Sequence, residues 1–453
     1  MLNGKQVERP DHCRRAEADR RLDALVADGA DVRVDVQRIA RKVAALHAAA
    51  PRSAVIDRAG QPETLRRQWD DNLGVLVGYA GGLLDGPTLQ RVHDRAHRYL
   101  IGRIPLLDDR IRSGAIVEGH GGLLAGNISC PPQLDNSHLD NSHLDSGQLD
   151  DLVRHGEGLW HGEGLWHGDV LADIGLLAMD LERLGAPVEA AALLADYGHA
   201  AGTDHPASLA HWYIAYQAVA RGAIATSRPT WSGPTAEHTA EVGRLLRLAD
   251  RHLAAGRVRL ILVGGLPGTG KSTIAEALSG RYGWPVIRSD AIRRQLTGPP
   301  APPGRGSYRP EWTGATYSTL LDRAAGHLGR GRSILLDATW ADPMHRAAAA
   351  RLARRTAADL VALNCQATPQ LALARIAHRP AGGRDRSDAD AAAYRHLAQH
   401  LVPWPDATVL DTRRPLPETL AEALRAVNRD PTRADPTGAT QPGQPYRHER
   451  RPA

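Results

Sequence analysis

The chain has 453 residues, 42% of them hydrophobic and 24% charged, a composition that is ordinary for a soluble protein of about two domains. It has no apolar stretch near the ~18 residues that cross a bilayer and no apolar signal core at its start, which argues against a membrane protein and predicts a cytoplasmic one. The few, widely spaced cysteines argue against a disulfide framework, and the net charge of +5 comes from dispersed arginines, so a nucleic-acid partner is possible but not favoured.

The first half of the chain is predicted to be mainly helical. Residues 1–20 are polar and rich in arginine, and we expect them to be disordered. From residue 21 to residue 226 apolar side chains recur with helical spacing, as they do at Ile39, Val43 and Leu46. Residues 227–256 then read as a linker and a bridging helix.

Two short tandem duplications interrupt this helical region. Residues 134–138 repeat at 139–143, and residues 155–160 repeat at 161–166. The copies bring several histidines and carboxylates close together in sequence, which raises the possibility of a metal site. Because glycine and leucine are copied along with histidine, local duplication of sequence is the favoured explanation.

The second half of the chain, residues 257–428, is predicted to be an α/β domain. Short apolar strands alternate with helical runs, which indicates a parallel sheet with helices on both faces. Residues 429–453 lack apolar periodicity and are expected to form a disordered tail. The predicted strands are 260–263, 286–287, 334–336, 360–363 and 408–410.

A glycine-rich sequence connects the first of these strands to a helix. Residues 265–272 match G-x-x-x-x-G-K-[ST] without a mismatch, and they have the strand before and the helix after that a phosphate-binding P-loop needs. Glycines let backbone N–H groups approach phosphate oxygens, while the lysine reaches the β- and γ-phosphates. The sequence therefore predicts ATP binding by Gly265, Leu266, Pro267, Gly268, Thr269, Gly270, Lys271, Ser272 and Thr273.

Carboxylates follow two of the other predicted strands. Asp337 ends an apolar strand in the Walker-B arrangement, so we expect it to hold Mg²⁺ together with the Ser272 hydroxyl. A strand-end aspartate that only caps a turn is the alternative. Asp290 follows the predicted strand at 286–287. It is predicted to accept the proton of an attacking hydroxyl, although it could instead cap the next helix.

Arginines are the predicted partners of the negative charge at this site. Arg293 and Arg294 lie one turn after Asp290 and are predicted to bind an anionic substrate. Arg375 and Arg379 are spaced i, i+4 before a flexible loop, where they could close over the phosphates during transfer. Solvated surface is the alternative for Arg375 and Arg379. The predicted catalytic residues are therefore Lys271, Asp290, Arg375 and Arg379.

These motifs together resemble the small P-loop kinases of the gluconate-kinase and polynucleotide-kinase-like group of the AAA family. The resemblance covers residues 257–427 and implies transfer of a phosphoryl group from ATP to a hydroxyl. It matches Asp290 to the family's catalytic carboxylate and residues 375–379 to its lid. The segments that carry it are 265–272, 289–293, 308–312, 336–339 and 375–379.

The first half resembles the C-terminal lobe of aminoglycoside-phosphotransferase-like kinases, through residues 97–100, 119–123 and 173–182. Placed ahead of a P-loop kinase, it resembles actinobacterial bifunctional phosphotransferase/ATP-binding proteins. The resemblance places the catalytic carboxylate at Gly122 and metal ligands at Asn127 and Asp150. With no base, and with about 20 residues before Leu22 for a nucleotide-binding lobe, we expect a truncated, degenerate domain that acts as a scaffold or binds a ligand.

Three functions are compatible with these patterns. The first is an ATP- and Mg²⁺-dependent kinase that phosphorylates a hydroxyl group of a small molecule. The second is a nucleotide-dependent switch or binding module with little turnover. The third is a kinase for the 5′-hydroxyl of a nucleic acid, whose binding should weaken steeply with salt.

Overall fold

The computed structural model describes residues 20–80, 84–130, 166–227, 235–297, 310–378 and 390–430. The expectations for residues 1–19, 131–165 and 431–453 fall outside the described part of the chain; these ranges include Asp150 and both duplications, except for the last residue of the second, Trp166.

The first half folds into helices around a small antiparallel sheet. The short strands β1 (Ile116–Gly119) and β2 (Trp166–Asp169) pair with Ile116 opposite Asp169. The helices are α1 (Leu22–Ala27), α2 (Arg33–Ala49), α3 (Ala54–Asp57), α4 (Pro62–Ala80), α5 (Gly86–Gly102), α6 (Ile104–Arg112), α7 (Val170–Arg183), α8 (Pro187–Ala200), α9 (Ala207–Ser227) and α10 (Ala236–Ala255).

Helix α7 forms the centre of this helical half, and every residue from 170 to 181 is buried. Asp169 caps the helix by accepting a hydrogen bond from the Leu171 N–H at 2.8 Å. Arg110 in turn donates to both oxygens of the Asp169 carboxylate, at 2.8 and 2.6 Å. Pairing of this kind is what allows a charged cap to stay buried, because an unpaired carboxylate would be strongly penalised by desolvation.

The β1–β2 pair was not predicted from sequence. Each strand has four residues, too few for the period-2 pattern to stand out, and 46 positions separate the end of β1 (Gly119) from the start of β2.

Helix α10, predicted as a bridging helix, packs along α9 and α5 of the helical half. Gly256 ends it, as expected.

The second half contains a parallel five-stranded sheet in the order β4-β5-β3-β6-β7. Its strands are β3 (Arg259–Gly264), β4 (Val286–Arg288), β5 (Ile334–Asp337), β6 (Asp359–Gln366) and β7 (Thr408–Asp411). Its helices are α11 (Lys271–Tyr282), α12 (Ser289–Thr297), α13 (Pro310–Gly329), α14 (Pro343–Arg355), α15 (Pro369–Ala377), α16 (Ala391–Gln399) and α17 (Leu416–Asn428).

The two faces of this sheet are covered by different helices. Ile261 and Val263 point into a core shared with α11 and α17, whereas Leu260 and Leu262 point to the opposite core. Burial on both faces explains why β3 is a continuous apolar run rather than an alternating one. The predicted fold, a P-loop α/β sheet preceded by a mainly helical region, is confirmed.

The second face of the sheet is also the surface that joins the two halves. One cluster of buried residues extends from Leu22 in the helical half to Leu336 on β5. Polar contacts reinforce it: Arg103 donates to the Thr356 carbonyl at 2.6 Å, and Ser208 donates to the Gly331 carbonyl at 2.7 Å. None of the helices that the structure describes combines the length and hydropathy needed to cross a membrane.

Candidate active site

The P-loop lies at the carboxyl end of β3, between that strand and α11. β3 is the central strand, and it pairs with β5 on one side and with β6 on the other. The ends of such strands leave a crevice at the point where the winding direction reverses, and open α/β sheets bind their ligands there. The loop, Asp337 and Asp290 all lie at this edge of the sheet.

Two glycines have backbone conformations that shape the loop. Gly265 has φ of +130° and Gly268 has φ of +77°, both in the region that other residues rarely adopt. A Cβ atom on Gly268 would lie 2.3 Å from the Ala372 carbonyl oxygen, and one on Gly265 would lie 2.3 Å from that of Cys365. The loop therefore packs against β6 and α15 through bare backbone, which fixes the direction of its N–H groups.

We expect Gly268→Ala to weaken ATP binding at least ~10-fold, because a left-handed conformation costs a non-glycine residue about 1–2 kcal/mol before the clash with Ala372 is counted. Isothermal titration calorimetry with ATP measures the loss. Gly280→Ala is the matched control, since that glycine lies within α11 and a Cβ there meets nothing within 4 Å. The control should bind ATP normally and gain about 0.5–1 kcal/mol of stability. Equal ATP affinity in Gly268→Ala and the wild type would contradict this account of the loop.

Lys271 begins helix α11 and turns back over the loop. Its ammonium group donates to the Leu266 carbonyl at 3.1 Å. An ammonium has three N–H donors, so this single bond leaves donors for phosphate oxygens. The helix start adds the partial positive charge of its unpaired N–H groups at the same place.

Ser272 and Asp337, the two predicted Mg²⁺ ligands, meet at the start of α11. The Ser272 hydroxyl donates to the Asp337 carboxylate at 2.7 Å. Burial raises the pKa of Asp337, while Lys271 and the Ser272 hydroxyl act in the opposite direction. Arg288, at the end of β4, lies 3.8 Å from the same carboxylate. A buried carboxylate beside a hydroxyl oxygen is a suitable donor pair for a hard cation such as Mg²⁺.

The raised pKa of Asp337 predicts that its negative charge lowers the stability of the folded protein near neutral pH. The folded state holds the Asp337 proton more tightly than the unfolded state, so stability falls as pH rises from the unfolded pKa through the raised folded one. We therefore expect Asp337→Asn to have a higher Tm than the wild type at pH 7, with the difference shrinking toward pH 4. Thermal melting across this range tests it, with exposed Asp322→Asn as control. A lower Tm for Asp337→Asn at pH 7 would contradict the conclusion that the buried Asp337 charge destabilises the folded state.

Asp290 lies inside the first turn of α12, which starts at Ser289, and not at the cap position. Its carboxylate accepts a hydrogen bond from Arg293 at 3.0 Å. The charge of Asp290 is also among the causes that raise the pKa of Asp337, so the two carboxylates share one electrostatic environment. Arg293 is buried against Asp290, and half-buried Arg294 follows it. The structure therefore turns one of the two predicted substrate-binding arginines toward the predicted base.

Arg375 extends from α15 to the P-loop. It donates to the Gly268 carbonyl at 3.4 Å and to the Thr412 carbonyl at 2.8 Å. This position joins the loop to the segment after β7, which no sequence pattern had linked to it. Arg379, the other predicted lid arginine, lies outside the described residues.

The sequence analysis missed Tyr317 and gave Trp340 no role. Trp340 has φ of +54° and is fully buried, and its backbone N–H donates to the Tyr317 hydroxyl at 3.0 Å. Strained backbone of this kind persists where surrounding contacts hold it, often at functional sites. Burial raises the pKa of Tyr317 to about 12, so the hydroxyl stays protonated. The only signal in sequence was the position of Trp340 three residues after Asp337.

In the helical half, the segment from residue 119 to residue 127 is held by buried polar groups. Asp173 accepts hydrogen bonds from the N–H groups of His120 and Gly121, at 2.7 and 3.0 Å. Gly122 has no side chain to act as a base, and the Asn127 amide donates to its carbonyl at 3.1 Å. The arrangement fixes a loop, while the position matched to a catalytic carboxylate offers none.

Comparisons with known proteins give a family match in the second half and relatives that align along most of the chain. A family described as an AAA domain matches residues 260–403. Three mycobacterial proteins, all named as uncharacterized, are 35% identical over 420 residues, which cover 90% of this chain and 79% of theirs: Mb2027c of Mycobacterium bovis, and MT2060 and Rv2004c of two Mycobacterium tuberculosis strains. The AAA match thus falls on the P-loop half, whereas these relatives align along most of the chain.

Two solved structures illustrate the similarity of part of this chain to known folds. An unliganded sugar kinase from Janibacter sp. HTCC2649 is 19% identical, with a TM-score of 0.30, and covers 38% of this chain and 95% of its own. A gluconokinase from Sinorhizobium meliloti 1021 is 20% identical, with a TM-score of 0.27, and covers 38% of this chain and 91% of its own.

Proposed function

The chain belongs to the same family as the mycobacterial protein Rv2004c, and we propose that it is an ATP-dependent kinase that transfers the γ-phosphoryl group to a hydroxyl of a small molecule. One observation carries the proposal: the Ser272–Asp337 pair, at 2.7 Å, lies beside the P-loop lysine at the crevice of the parallel sheet. Asp290 supplies a partly exposed carboxylate at the same edge. Together these groups would bind a nucleotide and receive a proton, which is what a kinase requires.

The positions of the side chains suggest how the work is divided among them. The N–H groups of residues 265–272 and the Lys271 ammonium would bind the β- and γ-phosphate oxygens. Asp290 would accept the proton of the attacking hydroxyl as its oxygen bonds to the γ-phosphorus and the bond to ADP breaks. Arg293, held 3.0 Å from Asp290, would fix the direction of that carboxylate. Arg375 would keep the P-loop backbone in place through Gly268.

Ser272 and Asp337 are the residues that would hold Mg²⁺. The fit rests on their chemistry: a buried carboxylate whose pKa is raised by desolvation would be stabilised by a cation. When bound, Mg²⁺ neutralises charge on the phosphate oxygens during transfer. Asp337 and Ser272 would orient it, and their hydrogen bond would open to do so.

The acceptor is best identified by direct assay. ADP release from MgATP should be measured with sugars, aminoglycosides, nucleosides and 5′-hydroxyl oligonucleotides, and the phosphorylated product confirmed by mass spectrometry. Stimulation by one small-molecule class, with salt-insensitive rates, supports the proposal. Stimulation only by oligonucleotides, weakening steeply with salt, would replace it with a nucleic-acid kinase. ATP binding without stimulation by any acceptor would favour a nucleotide-dependent switch.

For the first half we propose a non-catalytic role, as a scaffold or a ligand-binding partner of the kinase half. Its likeness to aminoglycoside phosphotransferases rests on the sequence resemblance alone. Support for the absence of catalysis comes from Gly122, which offers no base, and from Asn127, whose amide is hydrogen bonded to the Gly122 carbonyl. We expect Asn127→Ala to leave the rate of ADP release unchanged within ~2-fold of the wild type, because it removes only a loop contact.

A further inference from the structure

Three potential metal-binding side chains meet on the surface of the helical half, where α4 and α5 pack together. Asp70 belongs to α4, and His93 and His97 lie one turn apart on α5. One potential ligand atom from each lies within 4.8 Å of the other two. The two imidazole rings stack with centroids 4.2 Å apart. Neither the P-loop half nor the proposed kinase reaction uses this group.

The hydrogen bonds of His97 show what its Nε2 atom can bind. Its Nδ1 lies 2.8 Å from the His93 carbonyl oxygen, which only accepts, so Nδ1 must carry a proton. Its Nε2 lies 2.7 Å from an Asp70 carboxylate oxygen, which also accepts. Nε2 therefore faces a carboxylate oxygen across a gap where a cation could bind to both. The backbone bond at Nδ1 orients the ring in the way that second-sphere partners orient metal-binding histidines.

His93 is oriented by a similar partner. Its Nδ1 lies 3.1 Å from the Asp94 carboxylate, to which it donates, and this bond orients the ring. Gln90 donates to the same Asp94 oxygen at 2.8 Å. The second oxygen of Asp70 accepts from Arg66 at 2.9 Å, which leaves the first for His97 or a cation. Each of the three side chains thus has a hydrogen-bond partner outside the group that orients it.

We propose that Asp70, His93 and His97 form a binding site for one divalent transition-metal ion, with zinc as the expected ion. Imidazole nitrogens and a carboxylate oxygen suit zinc, and three protein ligands leave a fourth position for water. The ion binds between Nε2 of His97 and the facing Asp70 oxygen, and any proton held between them leaves to solvent.

The site requires only small movements to reach zinc geometry. Bonds of ~2.0–2.1 Å in a tetrahedron place ligand atoms ~3.3 Å apart, so His97 and Asp70 must separate by ~0.6 Å. His93 is 48% exposed and can turn to complete the set. A bound ion would link α4 to α5, and it would raise Tm because it binds the folded state and not the unfolded one.

The test uses the full chain, stripped of metal with a chelator and free of nucleotide. Co²⁺ titration followed by visible absorption, and Zn²⁺ titration against a colorimetric chelator, give the stoichiometry and the affinity. We expect the wild type to bind one more equivalent of metal ion than the His93→Gln/His97→Gln variant. Zinc should raise the Tm of the wild type. Asp70→Asn should weaken this site at least ~10-fold, since it replaces an anionic ligand with a neutral one.

The chain offers a matched control in His396, on α16, and His400, the residue that caps the C-terminal end of that helix. They are also spaced i, i+4, and the Nδ1 of His400 lies 2.8 Å from the His396 carbonyl, but they belong to no such group with a carboxylate in the described residues. The variant His396→Gln/His400→Gln should keep the full stoichiometry. Identical zinc binding in the wild type and the His93→Gln/His97→Gln variant would overturn the proposal. So would loss of the same equivalent in the α16 control.

Discussion

Replacing Lys271 with alanine is expected to lower kcat/KM for the phosphoryl transfer by about 10²–10³-fold, the usual cost of removing one charged donor from a developing anion. The ammonium lies 3.1 Å from the Leu266 carbonyl, inside the curve of the loop. A water molecule in its place would not supply a fixed positive charge. The rate of ADP release with the acceptor found in the panel is the measurement.

The control for this variant is Lys42→Ala. Lysine occurs only at positions 5, 42 and 271 of the chain, and Lys42 lies on α2 of the helical half. Lys42→Ala should retain wild-type turnover, so a loss in Lys271→Ala alone ties the effect to the P-loop and not to lost lysine charge in general. Turnover by Lys271→Ala within ~3-fold of the wild type would refute the assigned role of this lysine.

Asp290→Asn should lower kcat by about 10²–10⁴-fold, the range for loss of a general base, while the Kd for ATP changes little. Asparagine keeps the shape of the side chain and can still accept a hydrogen bond from Arg293, but it cannot take the proton of the attacking hydroxyl. Single-turnover kinetics with saturating ATP isolates the chemical step from binding.

Asp342→Asn is the matched control for this change. Asp342 is exposed and caps α14 by accepting a hydrogen bond from the Met344 N–H at 2.7 Å. Like Asp290, it contributes a negative charge that raises the pKa of Tyr317. Asparagine is an equally good cap, so the control removes one negative charge near the site without a loss of structure. Equal losses in the two variants would mean that general electrostatics, and not proton transfer, explains the effect of Asp290.

Most of the fold of the second half could be predicted from the sequence. Each predicted strand is present and is longer than predicted, by one to four residues in total. The P-loop was also predictable, since strand, glycine loop, lysine and helix are consecutive in the chain and their geometry follows from local backbone preferences. The ends of α10, with Thr235 as cap and Gly256 as stop, are local in the same sense.

Contacts between distant parts of the chain could not be predicted in this way. The bond between Arg375 and Gly268 spans 107 positions, and the bond between His97 and Asp70 joins two helices. Neither follows from a sequence pattern, because periodicity shows which face of an element is apolar and does not show which element packs against it. The pairing of β1 with β2 was missed for the same reason.

The sequence by itself determined which groups are predicted to carry the chemistry of this protein: the backbone proposed to bind phosphate, the lysine that follows it, and the carboxylates that end strands. Only the tertiary structure decided that Ser272 meets Asp337, that Arg293 turns inward to Asp290, and that the helical half covers one face of the sheet. The physical reason is the range of the interactions. Backbone conformation is set by neighbours in the chain, whereas burial and charge pairing are set by whichever surfaces fold against each other.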